Sequence, residues 1–151
     1  ISLYALNAPA FISNGANALD MLGQYGDNSA IPVPVYNKYI SNNNPNGFSI
    51  TPHTVAVDSA GHRLFISDRD NNRIFVYNLT AGNLFGDRVP DFVIGQQNFY
   101  TNMPGLTRSS LNTPTVIVFD SVGNRLFVAD TGNDRVLVFN VSTITNGMNA
   151  A

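Results

Sequence analysis

Laid over itself, the sequence repeats. Residues 51–78 (TPHTVAVDSAGHRLFISDRDNNRIFVYN) align without a gap on residues 113–140 (TPTVIVFDSVGNRLFVADTGNDRVLVFN) at a shift of 62, with 13 of 28 positions identical. A fixed internal period of this length means one supersecondary unit used more than once, and such a unit buries its apolar faces only against its neighbours. A second match flanks the first. Leu22-Gly23-Gln24 corresponds to Ile94-Gly95-Gln96 at a shift of 72, so the first unit carries the longer loop.

Within each unit the apolar residues alternate or run in threes and fours between turn signals, which is the pattern of short strands. Residues 55–58 lead into the Ser59-Ala60-Gly61-His62 turn, where Asp58 is placed for an Asx-type bond and Gly61 for a positive φ. Strands at 64–66 and 74–77 flank a turn at 68–72, and a fourth at 91–94 follows a Gly-containing connection. The second unit repeats these strands at 116–119, 126–128 and 136–139. Composition agrees: the chain has 21 Asn, 12 Gly and 8 Pro, every acidic residue is Asp, and Lys38 is the one Lys. A sequence so poor in strong helix formers and so rich in turn residues is not an all-α protein.

Both units carry D-S-x-G-x-R-L-F-x-x-D-x-x-N-x-R. This resembles the NHL repeat of β-propellers, and most closely its long-repeat bacterial form, in which the outer strand ends in a Val/Leu-Ile/Leu-Gly-Gln signature. The resemblance runs from about residue 19 to 140 and implies an all-β fold of β-propeller blades, each of four antiparallel strands. The expected organisation is a partial blade at 1–18, a first blade at 19–78 with a long loop at 25–49, a second at 79–140, and at 141–151 the start of a connection to a next blade. Residues 15–18 (GANA) resemble 147–150 (GMNA), and residues 1–4 read like the strand at 136–139, so the expectation is a chain that begins and stops inside a blade. A propeller needs about four to eight blades to close. Copies of the chain joined head to tail, with residues 1–6 of one abutting the last blade of another, or the rest of a longer chain, would supply them.

No catalytic constellation is legible. G-x-S-x-G, Gly-rich phosphate loops, H-E-x-x-H and paired Glu are all absent. His53 is the one weak catalytic candidate: the resemblance places it where an inner strand begins, beside the central channel, although Thr115 takes its place in the second unit. Asp68, Asp70 and Asn72 set oxygen side chains at alternate positions, as calcium loops do, but Gly is missing from the sixth position and the chain has no Glu for a bidentate ligand. A hydrogen-bonded turn, in which Asp68 with Arg73 and Asp130 with Arg135 fix the hairpins, explains the same residues. His62, in a turn and replaced by Asn124, reads as a solvent residue.

The long connections are rich in Asn, Pro and aromatics. Tyr36 and Tyr39 in residues 25–49, and Phe99 and Tyr100 in residues 97–112, are candidate binding residues, since exposed aromatics beside amides stack on sugars or peptides. They equally suit packing of the loops onto the blades. Asn78-Leu79-Thr80 and Asn140-Val141-Ser142 are glycosylation acceptors at equivalent positions.

A net charge of −2 with scattered arginines offers no basic patch for nucleic acid, and no apolar run reaches the roughly 18 residues of a membrane-spanning helix. With no Cys, disulfides and thiolate chemistry are excluded. The expected function is a non-catalytic binding or scaffolding module, extracellular or on a cell surface, without a cofactor. Its partners would be its own copies or further blades, and a carbohydrate or protein ligand. The alternative is a segment of a propeller enzyme of lyase or lactonase type that uses His53.

Overall fold

The computed structural model describes Leu22 and residues 52–151. The strand expected at 1–4, the repeat at 15–18 and the loop at 25–49 with Tyr36 and Tyr39 lie outside the described residues. Seven strands form two antiparallel sheets. In the first, β1 (Pro52–Asp58), β2 (Arg63–Asp68), β3 (Arg73–Asn78) and β4 (Phe92–Ile94) are neighbours in chain order. In the second, β5 (Pro114–Asp120), β6 (Arg125–Asp130) and β7 (Arg135–Asn140) repeat the first three. Registers repeat as well: Ala56 pairs with Phe65 and Phe65 with Val76, and at the shift of 62 Val118 pairs with Phe127 and Phe127 with Val138. Both inner strands, β1 and β5, lose register just after their Pro, which has no N–H to give a ladder. Among the described residues no helix is long and apolar enough to cross a membrane.

The hairpin turns explain why Asp and Arg recur five residues apart. Asp58 Oδ1 accepts the Gly61 N–H at 2.8 Å, while its Oδ2 takes Arg63 Nε at 2.9 Å and Nη2 at 2.6 Å. Arg125 repeats this on Asp120 at 2.9 and 2.6 Å. The positive φ expected at Gly61 falls instead on His62, at 53°, and on Asn124, at 48°. Gly61 serves close approach, because a Cβ there would stand 2.2 Å from Asp58 Oδ2. At the other end, 3-10 turns at Arg69–Asn71 and Thr131–Asn133 close through Asn72 and Asp134 in the left-handed region, which Asn and Asp tolerate.

The two sheets meet through unlike faces. Side chains alternate across a strand, so each unit has one face carrying Phe65, Ile74 and Val76 and another carrying Leu64, Ile66 and Tyr77. The first face of sheet one packs on Ile117, Leu126, Val128 and Phe139 of sheet two, the counterparts of Val55, Leu64, Ile66 and Tyr77. Ile94, from β4, belongs to this same core. The rings of Phe65 and Phe119 stack at 5.7 Å. Thr54 Oγ1 and Ser67 Oγ donate across the junction to the Thr115 and Pro114 carbonyls, each at 2.7 Å, and Arg63 Nη1 donates to Val141 O. On the far face of sheet one a smaller cluster joins Ile66, Phe75, Tyr77 and Val93 to Leu22, Leu64, Leu79 and Phe99.

The expectation of four strands per unit holds for sheet one; sheet two has three among the described residues. Ile94, Val93 and Phe92 of β4 pair with Ile74, Phe75 and Val76. On β7 the counterpart bond exists at one point: Ala151 N donates to Val138 O at 2.7 Å, as Asp91 N does to Val76 O at 2.8 Å. Phe127 is half-buried on the face of sheet two that no described sheet covers, whereas its counterpart Phe65 is fully buried.

Candidate ligand-binding rim

The connection from β4 to β5 runs along one rim of the two sheets and is held by both. It starts at Gly95, whose φ of +90° is open to Gly and whose missing Cβ leaves room for Leu111; a Cβ there would lie 2.5 Å from Leu111 Cδ1. The buried Gln96 next to it donates Nε2 to Asn72 O at 3.0 Å and to Met103 O at 2.9 Å. One turn of sheet one reaches further along: Arg73 Nη1 donates to Phe99 O at 2.7 Å and Asn72 Nδ2 to Asn102 O at 2.8 Å. Asn72 Oδ1 also accepts the Thr113 N–H at 2.7 Å. From sheet two, Arg135 donates to the carbonyls of Leu106 and Thr107 at 2.7 Å and of Ser110 at 3.1 Å, and Asn133 Nδ2 to Gly105 O at 2.7 Å. Asp130 Oδ1 accepts the Asn112 N–H at 2.6 Å.

The repeated Asp-x-x-Asn-x-Arg turn is therefore a clamp. Asp68 takes Asn71 Nδ2 at 3.0 Å and Arg73 Nε at 2.7 Å, which orients the guanidinium toward the connection. Asp130 does the same with Asn133 at 2.8 Å and Arg135 at 2.7 Å. Both Asp68 and Arg73 are fully buried, and the Arg73 guanidinium lies 4.2 Å from the Phe75 ring centroid. Burial draws the Arg73 pKa below its ordinary value against the opposing pull of Asp68. Sequence reasoning named the Asp/Arg pairs as hairpin fasteners, and they are; their grip on the connection was missed.

Beside the clamped connection lies an open cavity of about 440 Å³, lined by Gly95, Gln96, Gln97, Thr101, Met103, Pro104, Thr107, Ser109 and Ser110. None of these residues is ionisable. Tyr100 is 68% exposed and Met103 74% exposed on this rim. The cavity lining of amides, hydroxyls and apolar side chains carries no charge, although exposed Arg108 stands between Thr107 and Ser109 at its border; such a lining suits the uncharged groups of a sugar or an extended peptide.

The other sequence candidates separate. Phe99 packs inward, its ring 6.2 Å from Phe75, while Tyr100 points its exposed side chain outward. His53 sits exposed in the irregular start of β1. Of Asp68, Asp70 and Asn72, the first faces Arg73, the second makes an exposed pair with Arg69 at 3.1 Å, and the third is spent on backbone groups. Among the described residues no group of three or more His, Cys, Asp or Glu side chains could hold a metal ion. His62 Nδ1 is bonded to Asn83 Oδ1 at 2.8 Å. Asn78 and Asn140 end β3 and β7 and are both exposed.

Compared with known families, residues 50–77 match the model of the NHL repeat. Within that stretch, residues 51–77 have their internal copy at residues 113–139. No curated protein matches the chain.

Proposed function

We propose that this chain is a non-catalytic binding or scaffolding module, extracellular or on a cell surface, that presents the clamped connection 97–112 to a carbohydrate or peptide ligand. NHL repeats build propeller-type binding and scaffolding surfaces, and residues 50–77 are one such repeat. The observation that carries the reading is the clamp: two buried or half-buried arginines from different sheets fasten one rim connection whose outward side chains include Tyr100 and Met103. Such pre-ordering lowers the entropic cost of binding. Copies joined head to tail, or further blades of a longer propeller, complete the module.

A glycan and peptide array probed with the full chain tests the ligand class. The reading expects hits that weaken at least tenfold in Tyr100→Ala with the fold intact; hits that survive that change, or none at all, contradict it. Exposed acceptors at Asn78 and Asn140 fit a secreted protein. Peptide N-glycosidase treatment of native material should then lower its mass, and an unchanged mass speaks against glycosylation.

A further inference from the structure

Among the described residues Asn146 is the one Asn that Gly follows. It is exposed, in a turn that Met148 N–H closes on Thr145 O at 3.3 Å, and Gly147 holds φ +67°, which Gly adopts freely. The turn is fastened to the outer edge of β4. Asn146 Oδ1 accepts the Val93 N–H at 2.9 Å, and the Gly147 N–H donates to Val93 O at 3.3 Å. Val93 is the middle residue of β4, is fully buried, and pairs with Phe75 across the other edge. One side-chain amide and one main-chain amide thus do for this strand what a neighbouring strand would. The turn also touches the rim, since a Cβ on Gly147 would lie 2.6 Å from Oε1 of Gln97, which lines the cavity.

We propose that Asn146-Gly147 is a modification site: the Asn146 amide closes on the Gly147 nitrogen to a succinimide, and hydrolysis leaves isoaspartate, which unfastens the turn from β4. Three observations carry this. Gly147 has no side chain to shield its nitrogen. The Val93 N–H on Oδ1 draws electron density from Cγ, the atom that is attacked. Nδ2, the leaving nitrogen, has no hydrogen-bond partner among the described residues, and its residue is open to water.

The step balances with water as its one co-reactant. The Gly147 nitrogen gives up its proton and bonds to Asn146 Cγ, the Cγ–Nδ2 bond breaks, and Nδ2 leaves as ammonia with that proton. Water then opens the ring, and nothing is oxidised or reduced. Cleavage between the nitrogen and Cγ leaves aspartate, which keeps the chain length and an oxygen for the Val93 N–H. Cleavage between the nitrogen and the main-chain carbonyl carbon leaves isoaspartate, with the chain running through Cγ. One more carbon then stands between Cα of Asn146 and the Gly147 nitrogen, in a chain whose successive Cα atoms are otherwise about 3.8 Å apart. The two bonds to Val93 can no longer form together.

Each Asn-Gly pair falls in its own tryptic peptide: Asn14-Gly15 before Lys38, Asn46-Gly47 between Lys38 and Arg63, and Asn146-Gly147 after Arg135. The folded full chain is aged in warm, mildly alkaline buffer, which deprotonates the attacking nitrogen. Residue 146 should turn from amide to acid ahead of Asn140 and Asn149 in the same peptide, and isoaspartyl methyltransferase should label it. The same peptide, cut from unaged chain and aged alongside, serves as the clock. Residue 146 intact in the folded chain once the free peptide has converted overturns the inference, as does conversion no faster than at Asn140 or Asn149. The converted chain carries one more negative charge, so anion exchange isolates it. Its Val93 amide should then exchange with deuterium about tenfold faster or more. Asn146→Gln, aged identically, should keep its amide and the Val93 protection of its own unaged sample. Unchanged Val93 exchange in the isoaspartyl chain, or an equal loss of protection in aged Asn146→Gln, contradicts the unfastening. Neither readout involves a ligand, so this inference and the rim reading fail separately.

Discussion

A few residues carry disproportionate weight because their partners are buried. Asp68 neutralises and aims Arg73, and both are fully inaccessible. Asp68→Asn leaves a buried guanidinium without its counter-charge, a change that costs about 3 to 5 kcal/mol when one half of a buried pair is removed. Urea unfolding should show that loss. Arg69→Ala, which breaks only the exposed contact to Asp70, should stay within about 0.5 kcal/mol. Gly95→Ala forces a side chain to φ +90° and into Leu111, so it should destabilise by about 1 kcal/mol or more and loosen the rim.

The turn carboxylates set the acid limit. Burial alone would raise the Asp58 pKa, but the Gly61 N–H and Arg63 outweigh it and hold it below 3.8; at Asp120 the hydrogen bond from Arg125 leads the same lowering. A carboxylate with a lowered folded pKa adds stability that is complete above its unfolded pKa and disappears as pH falls through the folded one. The melting temperature should therefore hold down to about pH 5 and fall below about pH 4. Asp58→Asn with Asp120→Asn should lower it near neutrality and flatten that acid slope. An unchanged slope would assign the acid loss to other groups.

At the scale of strands and turns, periodicity carried the reading. The alternation in residues 55–58 and 74–77, and the identical Asp-Arg spacing, located the first three strands of both units and both hairpins. The twin turns did not reveal which residue takes positive φ, because Gly61 and His62 are adjacent and only the Asp58 carboxylate excludes a Cβ at one of them. The clamp was hidden for a different reason. Arg73 meets Phe99 and Arg135 meets Leu106, contacts separated by 26 and 29 residues, and no local pattern reports them. Equivalent residues also need not have equivalent surroundings. Phe65 is in the core, so Phe65→Ala should cost about 3 to 5 kcal/mol. Phe127→Ala in the single chain should cost distinctly less, and chemical denaturation of the two variants compares them directly.

For the molecule as a whole, the central claim is that the two sheets are one repeat used twice and that each depends on burying its face on the next. The larger core is shared between the sheets: Phe65, Ile74 and Val76 are inaccessible because Leu126, Val128 and Phe139 lie with them, while the smaller cluster around Phe75 and Tyr77 lies on the far face of sheet one. Native-state hydrogen exchange on Phe65→Ala reads this dependence most directly. Weakening the junction from the sheet-one side should speed amide exchange in residues 63–78 and in residues 125–140 together, by a similar factor. Residues 125–140 keeping their original protection while 63–78 open would contradict the account, because sheet two would then be standing on its own.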